Sequence, residues 1–145
     1  DMKGKQIYID FDGAYMNATV YINGHELGTR PYGYASFSYN ITKWLKPGKN
    51  VLAVRVDNAE QPNSRWYSGC GIYRHVWLRV LNPVHVAQWG TFVRQDKVTD
   101  SAADITVLTN VENNGKKTVK ATLQTDVVSP EGKVVARASS PVSRR

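Results

Sequence analysis

The sequence predicts an all-β protein built from two β-sandwich units, residues 1–82 and 83–145. Apolar and polar residues alternate with a period of two through most of the chain, as in half-buried strands, and helical periodicity is almost absent. Asn23-Gly24 is the strongest short hairpin signal, because both residues tolerate positive φ. At Asn82-Pro83 the chain stops being rich in Trp and Tyr and becomes rich in Thr, Val and Lys, which predicts a domain boundary.

The strands of the first unit follow from this alternation. The clearest runs from Met16 to Ile22, with Ala18 and Val20 on the same face, and Asn23-Gly24 turns the chain back. The remaining elements are a short helical turn at 42–45, ended by the Lys-Pro-Gly that follows, and strands at 36–40, 51–57 and 75–81.

The second unit is predicted to hold three or four strands. They lie at 84–93, 103–112, 118–128 and 133–138, separated by turns at 113–115 and 129–132. A complete sandwich of the immunoglobulin type has about seven strands, so we expect this unit to be partial. The chain begins at Asp1 without Met, so we expect it to be cut from something longer.

The composition narrows the classes of function. The net charge of +7 is spread along the chain, with no run of more than two basic residues, which indicates a solvated surface rather than a nucleic-acid partner. The single cysteine allows no internal disulfide, and no stretch reaches the length of a membrane span. The four Trp and eight Tyr are typical of sugar sites and of all-β proteins alike, and both interpretations stay open.

No residue pattern predicts a catalytic site, a metal site or a cofactor in this chain. Asp10 and Asp12 share a strand face, but nothing in the sequence shields them or separates their pKa values, as a glycosidase pair would require. Asp12-Gly13 is more typical of a turn. Cys70, between two glycines, is expected to be a small buried residue rather than a nucleophile. The three histidines have no cysteine at ligand spacing.

Residues 65–74, RWYSGCGIYR, are the remaining candidate site. In one interpretation Trp66 or Tyr67 is a stacking platform for a sugar, and Arg65 donates hydrogen bonds to its hydroxyls. In the other, which spacing alone favours, both rings plug the end of the sandwich and Arg74 is a buried bridging cation.

Three motifs give the chain a family resemblance. FDGAYMNATVYINGHELG, GYASFSYNITKWLKPGKNVLAVRVDN and RWYSGCGIYRHVWL, which occur in this order within residues 7–82, resemble the amino-terminal sugar-binding domain of glycoside hydrolase family 2. That family includes β-galactosidases, β-glucuronidases and β-mannosidases. Residues 84–138 resemble its next domain, an immunoglobulin-like sandwich. The last motif looks most like β-galactosidases of glycan-degrading bacteria.

The resemblance implies a galactose-binding-like jelly roll over 1–82, without its first strands, and the first part of an immunoglobulin-like sandwich over 83–145. It also implies that the catalytic glutamates lie in a barrel following residue 145, so this fragment is expected to be inactive alone. Several family members carry a carboxylate nine positions before the Arg that matches Arg74, and it contacts the terminal sugar. Arg65 stands there in this chain. We therefore expect Arg65, Trp66 and Tyr67 to face the substrate pocket of the intact enzyme.

The expected partners are a β-galactoside or glycan and the catalytic barrel of the parent chain. Because a sandwich lacking strands exposes unpaired edges, dimers or strand exchange are also expected. Nucleic acid and membrane are not expected partners, and an export to the periplasm is favoured over the cytoplasm for an enzyme from a glycan-degrading bacterium. The rival interpretations are a stand-alone carbohydrate-binding module, a purely architectural fragment and a polyanion binder.

Overall fold

The computed structural model describes residues 2–60 and 67–142, and over these ranges the regular structure is β-strand except for one 3₁₀ turn. The chain divides into two compact units, Asp1–Asn82 and Pro83–Arg145. The all-β prediction is confirmed. No helix among the described residues combines the length and the apolar character needed to cross a membrane.

The first unit contains eight described strands in three sheets. They are β1 (Gln6–Phe11), β2 (Ala14–Tyr15), β3 (Ala18–Ile22), β4 (His25–Arg30), β5 (Phe37–Asn40), β6 (Leu52–Arg55), β7 (Gly71–Ile72) and β8 (Val76–Leu81). The 3₁₀ turn spans Thr42–Trp44. The sheets have the orders β5-β1-β8, β4-β3-β6 and β2-β7, and all their pairs are antiparallel.

The core of this unit lies between the two three-stranded sheets. Alternate residues of β1 and β3 point inward, as the period of two predicts. Phe11 and Val20 are fully buried, and the Phe11 and Phe37 rings stack with centroids 4.9 Å apart. The buried apolar residues are Ile7, Ile9, Phe11, Ala14, Ala18, Val20, Ile22, Phe37 and Ile41.

The Asn23-Gly24 hairpin forms as predicted, with Ile22 opposite His25. Both turn residues have positive φ, 50° for Asn23 and 85° for Gly24. The Asn23 side chain also holds distant backbone in place: its amide donates to the Trp44 carbonyl at 2.9 Å, and its oxygen accepts from the Val51 amide at 2.9 Å. Asn23, which the turn favours for its positive φ, therefore also links the hairpin to the backbone just before β6.

Strand β8 lies at an edge of its sheet and is only partly covered. Leu78 pairs with Ile9 and Val76 with Phe11, so these β8 residues share the core face of β1. Yet Leu78 is 53% and Val76 38% exposed, whereas Ile9 and Phe11 are buried. The alternation predicted for this strand is present, but its apolar face is open to solvent.

The second unit is described as two antiparallel hairpins. They consist of β9 (Val84–Val98) with β10 (Ala103–Asn113), and β11 (Thr122–Val128) with β12 (Val134–Pro141). The sequence ended the first of these strands at Val93, but β9 continues to Val98. A register shift between Thr109 and Val111, near Trp89 with φ of 50°, lets the long strand bend and stay paired.

Candidate functional site

The candidate segment is anchored to the first unit through a short strand pair. Gly71 and Ile72 form β7, which pairs with β2 so that Gly71 lies opposite Tyr15. Arg65 and Trp66, two of the three predicted sugar-contacting residues, lie outside the described residues. The third, Tyr67, is fully exposed. Tyr67 therefore does not plug the sandwich, and that interpretation is wrong for this ring.

Four tyrosines from three separate parts of the chain meet beside this strand pair. This tyrosine cluster consists of Tyr15, Tyr32, Tyr34 and Tyr73. Tyr34 is central, with ring centroids 5.2 Å from Tyr15, 5.7 Å from Tyr32 and 6.5 Å from Tyr73. The rings are tilted or edge-on to one another, which is the favourable arrangement of aromatic pairs. Tyr34 and Tyr73 still leave about half of their surface exposed, 51% and 50%.

Two glycines make room for the cluster. A Cβ at Gly13 would lie 2.6 Å from the Tyr73 ring, and a Cβ at Gly33 would lie 2.3 Å from the Tyr15 ring. The Tyr73 hydroxyl also donates to the Gly33 carbonyl at 2.9 Å. Both rings are therefore seated directly on glycine backbone.

Three members of the cluster, Tyr15, Tyr34 and Tyr73, line a partly open cavity of about 240 Å³ together with residues 67–72. Its lining residues are Tyr15, Tyr34, Tyr67, Ser68, Gly69, Cys70, Gly71, Ile72 and Tyr73. The Ser68 hydroxyl oxygen is buried there and has no hydrogen-bond partner in the described part of the chain. The segment thus turns around a hollow rather than around the protein core.

Two expectations about this segment are wrong. Cys70 was expected to be buried, but it is exposed at the cavity, with its Sγ 3.7 Å from the Val56 carbonyl oxygen. Arg74 was considered as a buried bridging cation, but it is exposed. Cys70 lies between Gly69 and Gly71, which have no side chains that could cover it.

The bridging cation of this unit is Arg79 on β8. Its guanidinium forms an ion pair with Asp10, which is only 6% exposed, and lies over the Tyr8 ring at 5.0 Å. The Ser38 hydroxyl donates to the same carboxylate. Sequence reasoning missed this role, although Arg79 and Asp10 sit on adjacent strands at alternating polar positions.

Neither carboxylate of the predicted strand is arranged for catalysis. Asp10 is held by Arg79, and Asp12 accepts a hydrogen bond from the Trp77 indole at 2.9 Å. Among residues 2–60 and 67–142, no three His, Cys, Asp or Glu side chains group as metal ligands. Over the described ranges, the cavity is the feature best suited to holding a ligand.

Comparison with known proteins places this geometry in context. Residues 1–98 match the family model described as the glycosyl hydrolase 2 galactose-binding domain-like. The chain is 52% identical over 138 residues to beta-galactosidase BoGH2A from Bacteroides ovatus, covering 94% of this chain and 16% of that protein. It is 40% identical over 139 residues to a putative beta-glucuronidase from Formosa agariphila, covering 96% of this chain and 13% of that protein.

Solved structures agree over nearly the whole chain. A glycosyl hydrolase family 2 member from Bacteroides cellulosilyticus superposes with a TM-score of 0.91 at 41% identity, covering 97% of this chain and 19% of that one. A family 2 beta-glucuronidase structure gives a TM-score of 0.92 at 33% identity, over 98% of this chain and 17% of that one. The chain therefore spans less than a fifth of the length of each of these proteins.

Proposed function

The chain belongs to glycoside hydrolase family 2, and from that membership we propose that it is the amino-terminal accessory region of a retaining β-galactosidase. In this proposal the longer protein removes terminal β-D-galactosyl residues from glycans, and a barrel domain that follows this chain carries the catalytic carboxylates. The chain itself contributes binding surface and is inactive alone. The observation that carries the proposal is the 52% identity to a β-galactosidase along 94% of the chain.

The geometry favours a non-catalytic, binding role for this chain over a hydrolytic one. The carboxylates Asp10 and Asp12 are engaged by Arg79 and Trp77, so neither is free to act as acid or nucleophile. The tyrosine cluster, by contrast, presents two half-exposed residues, Tyr34 and Tyr73, next to the segment that the resemblance directs toward the substrate. We propose that Arg65, Trp66 and Tyr67 contact the sugar in the longer enzyme.

We propose the same domain division as the sequence predicted, a jelly roll over 1–82 and an immunoglobulin-like sandwich over 83–145. The two compact units, which meet at Asn82 and Pro83, support it. Separate expression of 1–82 and 83–145 provides the test, because a domain unfolds with its own cooperative transition.

A β-glucuronidase is the second candidate, because relatives at 40% and 33% identity carry that name. The two sugars differ at C4, where the hydroxyl is axial in galactose and equatorial in glucuronate, and at C6, where galactose has a neutral hydroxymethyl group and glucuronate has a carboxylate. Arg65 therefore matters in both cases, but in different ways. A guanidinium can form an ion pair with a uronate, whereas it can only donate hydrogen bonds to galactose hydroxyls.

The test is the activity of the longer enzyme on 4-nitrophenyl β-D-galactoside and on the matching glucuronide. We expect the galactoside to be preferred, and we expect Arg65→Ala to lower kcat/KM by about 10-fold, the loss of one or two hydrogen bonds. Lys49→Ala, a charge removal outside the candidate segment, is the matched control. Preference for the glucuronide overturns the galactosidase proposal, and unchanged kcat/KM in Arg65→Ala overturns the pocket role.

We also propose that two copies of the chain associate through the open edge of β8. Val76, Leu78 and Val80 are 38%, 53% and 42% exposed on one face, and the strand has no Pro to block pairing. An antiparallel pairing about a two-fold axis would place these residues on a shared apolar face. Light scattering at high concentration should detect a dimer that Leu78→Lys abolishes and Val51→Lys, off this strand, does not. A monomer in the unmodified protein refutes it.

A further inference from the structure

We infer that Tyr73 is a positioning residue of the longer enzyme, which fastens residues 67–72 to the loops at Gly13 and Gly33 and thereby sets where Tyr67 lies in the substrate pocket. The inference rests on the proposed function only for the role of Tyr67 in contacting the sugar. The fastening contacts themselves follow from the geometry of the described residues.

Backbone pairing alone holds the candidate segment weakly. Strand β7 pairs with β2 over two residues of each strand, and an isolated two-stranded ribbon is at best marginally stable in water. The Cys70 thiol, with its Sγ 3.7 Å from the Val56 carbonyl oxygen, is a weak donor and adds little. Tyr67 is fully exposed, so packing does not fix its own position. The place of Tyr67 therefore depends on how firmly the chain that follows it is held.

Tyr73, the residue directly after β7, contacts two other parts of the chain. Its amide donates to the Gly13 carbonyl at 3.3 Å, and its ring is so close that a Cβ at residue 13 would lie 2.6 Å from Cζ. Its hydroxyl donates to the Gly33 carbonyl at 2.9 Å. Gly13 lies between β1 and β2, and Gly33 lies between β4 and β5. One side chain thus joins the candidate segment to two separate loops.

The hydroxyl bond of Tyr73 contributes much of this attachment. The residue is 50% exposed, so its ring is packed less completely than a core ring, and the hydrogen bond fixes the tip of the side chain. A neutral hydrogen bond corresponds to about a 5-fold change in an equilibrium constant. Loss of the hydroxyl should therefore raise by about 5-fold the population in which the segment has detached from the two loops, while the rest of the unit stays folded.

Detachment of the segment affects substrate binding more than the chemical step. Substrate binds well only to the fraction of molecules in which Tyr67 is in place, so a smaller fraction raises KM. The carboxylates that we propose for catalysis lie outside this chain, so kcat should hardly change. A variant that merely left less folded protein would lower the apparent kcat and leave KM unchanged. The two kinetic constants therefore separate a positioning role from a general loss of stability.

The first test is amide hydrogen exchange, followed by NMR, in the 145-residue chain. In Tyr73→Phe, the amide of residue 73 should exchange about 5-fold faster than in the unmodified protein. The amide of Ile41, which donates to the Ile7 carbonyl at 2.9 Å in the core, should exchange at an unchanged rate. Tyr21→Phe, which removes the same hydroxyl from β3, is the matched control. Unchanged exchange at residue 73 in Tyr73→Phe overturns the inference.

The second test is the kinetics of the longer enzyme on whichever of the two 4-nitrophenyl glycosides it hydrolyses faster. Tyr73→Phe should raise KM by about 2- to 5-fold and change kcat by less than about 2-fold, and Tyr21→Phe should change neither. An unchanged KM in Tyr73→Phe overturns the positioning role.

Gly13→Ala provides an independent way to displace Tyr73. The added Cβ would meet the far end of the Tyr73 side chain, its nearest atoms being Cζ at 2.6 Å and the hydroxyl oxygen at 2.7 Å, so the ring can swing aside while the unit stays folded. This variant should also raise KM. Because both changes break the same attachment, the double variant should have a KM close to that of the worse single variant. Fully additive effects would show that the two residues act separately and would overturn the inference.

Failure of this inference and failure of the proposed function are distinguishable. If the longer enzyme prefers the glucuronide, the galactosidase proposal is wrong, and the effect of Tyr73→Phe on KM is still measured on that substrate. If Arg65→Ala impairs hydrolysis while Tyr73→Phe leaves KM unchanged, the pocket role of the segment stands and the positioning role of Tyr73 is wrong.

Discussion

Gly33→Ala is the sharpest test of how the tyrosine cluster is positioned. The added Cβ would lie 2.3 Å from Cδ2, 2.9 Å from Cγ and 3.0 Å from Cε2 of Tyr15. The φ of Gly33 is not in the left-handed region, so backbone strain does not contribute and the effect isolates the clash. To reach ordinary contact distance, the Tyr15 ring must move by about 1 Å.

Such overpacking costs about 1–3 kcal/mol of the free energy of unfolding. For a unit of this size, that corresponds to a fall in melting temperature of about 5–15 °C. Urea unfolding followed by intrinsic fluorescence measures the first quantity, and calorimetry measures the second. The expected result is a loss in both, with an unchanged slope of free energy against urea.

Gly69→Ala is the matched control, because it lies on the rim of the same cavity and its added Cβ would meet nothing within 4 Å. It should be within about 0.5 kcal/mol of the unmodified protein. A second control is Gly33→Ala combined with Tyr15→Leu, in which the smaller side chain should relieve most of the added penalty. Equal stability of Gly33→Ala and Gly69→Ala would refute the seating of Tyr15 on residue 33.

Two further predictions concern charged groups. Asp10→Asn should lower the free energy of unfolding in urea by about 2 kcal/mol, because the partly buried Arg79 loses its carboxylate partner. Asp12→Asn, at a more exposed site, should lower it much less. Equal losses in the two variants would contradict the buried Asp10–Arg79 ion pair. Hydrogen bonds from the Thr106 hydroxyl and the Arg94 guanidinium hold the pKa of Asp96 below its ordinary value. The ionised carboxylate therefore stabilises the fold above about pH 4, and this contribution is lost as the pH falls through the folded-state pKa. Thr106→Val should raise the pKa of Asp96 in a ¹³C NMR titration, and an unchanged value would show that the hydroxyl is not responsible.

The strands of the first unit were largely predictable because their signals are local. Alternation predicted β3, and Asn23-Gly24 predicted its hairpin. Both the turn and the strand register depend on about a dozen consecutive residues. The resemblance to glycoside hydrolase family 2 is confirmed, and with it the galactose-binding-like sandwich. The start of β11 at Thr122, rather than at 118, is the kind of boundary that alternation alone defines poorly.

The site was less predictable because its parts are distant in sequence. Tyr15 and Tyr34 meet Tyr73 only after the sheets have formed, and no periodic pattern links them. The sequence analysis assigned Gly13 to a turn and did not single out Gly33, whereas the close approach of a tyrosine ring explains why neither position has a side chain. The sequence did contain one signal for the cluster, which is a Gly followed closely by a Tyr at two places, Gly13-Ala14-Tyr15 and Gly33-Tyr34.

The pairing of β1 with β8 has a consequence for how the chain is made. β1 occupies the centre of its sheet, and its register joins Gln6 to Leu81, the two ends of the first unit. During synthesis the first of these strands waits with one side unpaired until the ribosome has released the last. Closure of so long a loop is slow. The nascent chain therefore exposes an unpaired edge of β1 during this interval, and unpaired strand edges favour aggregation.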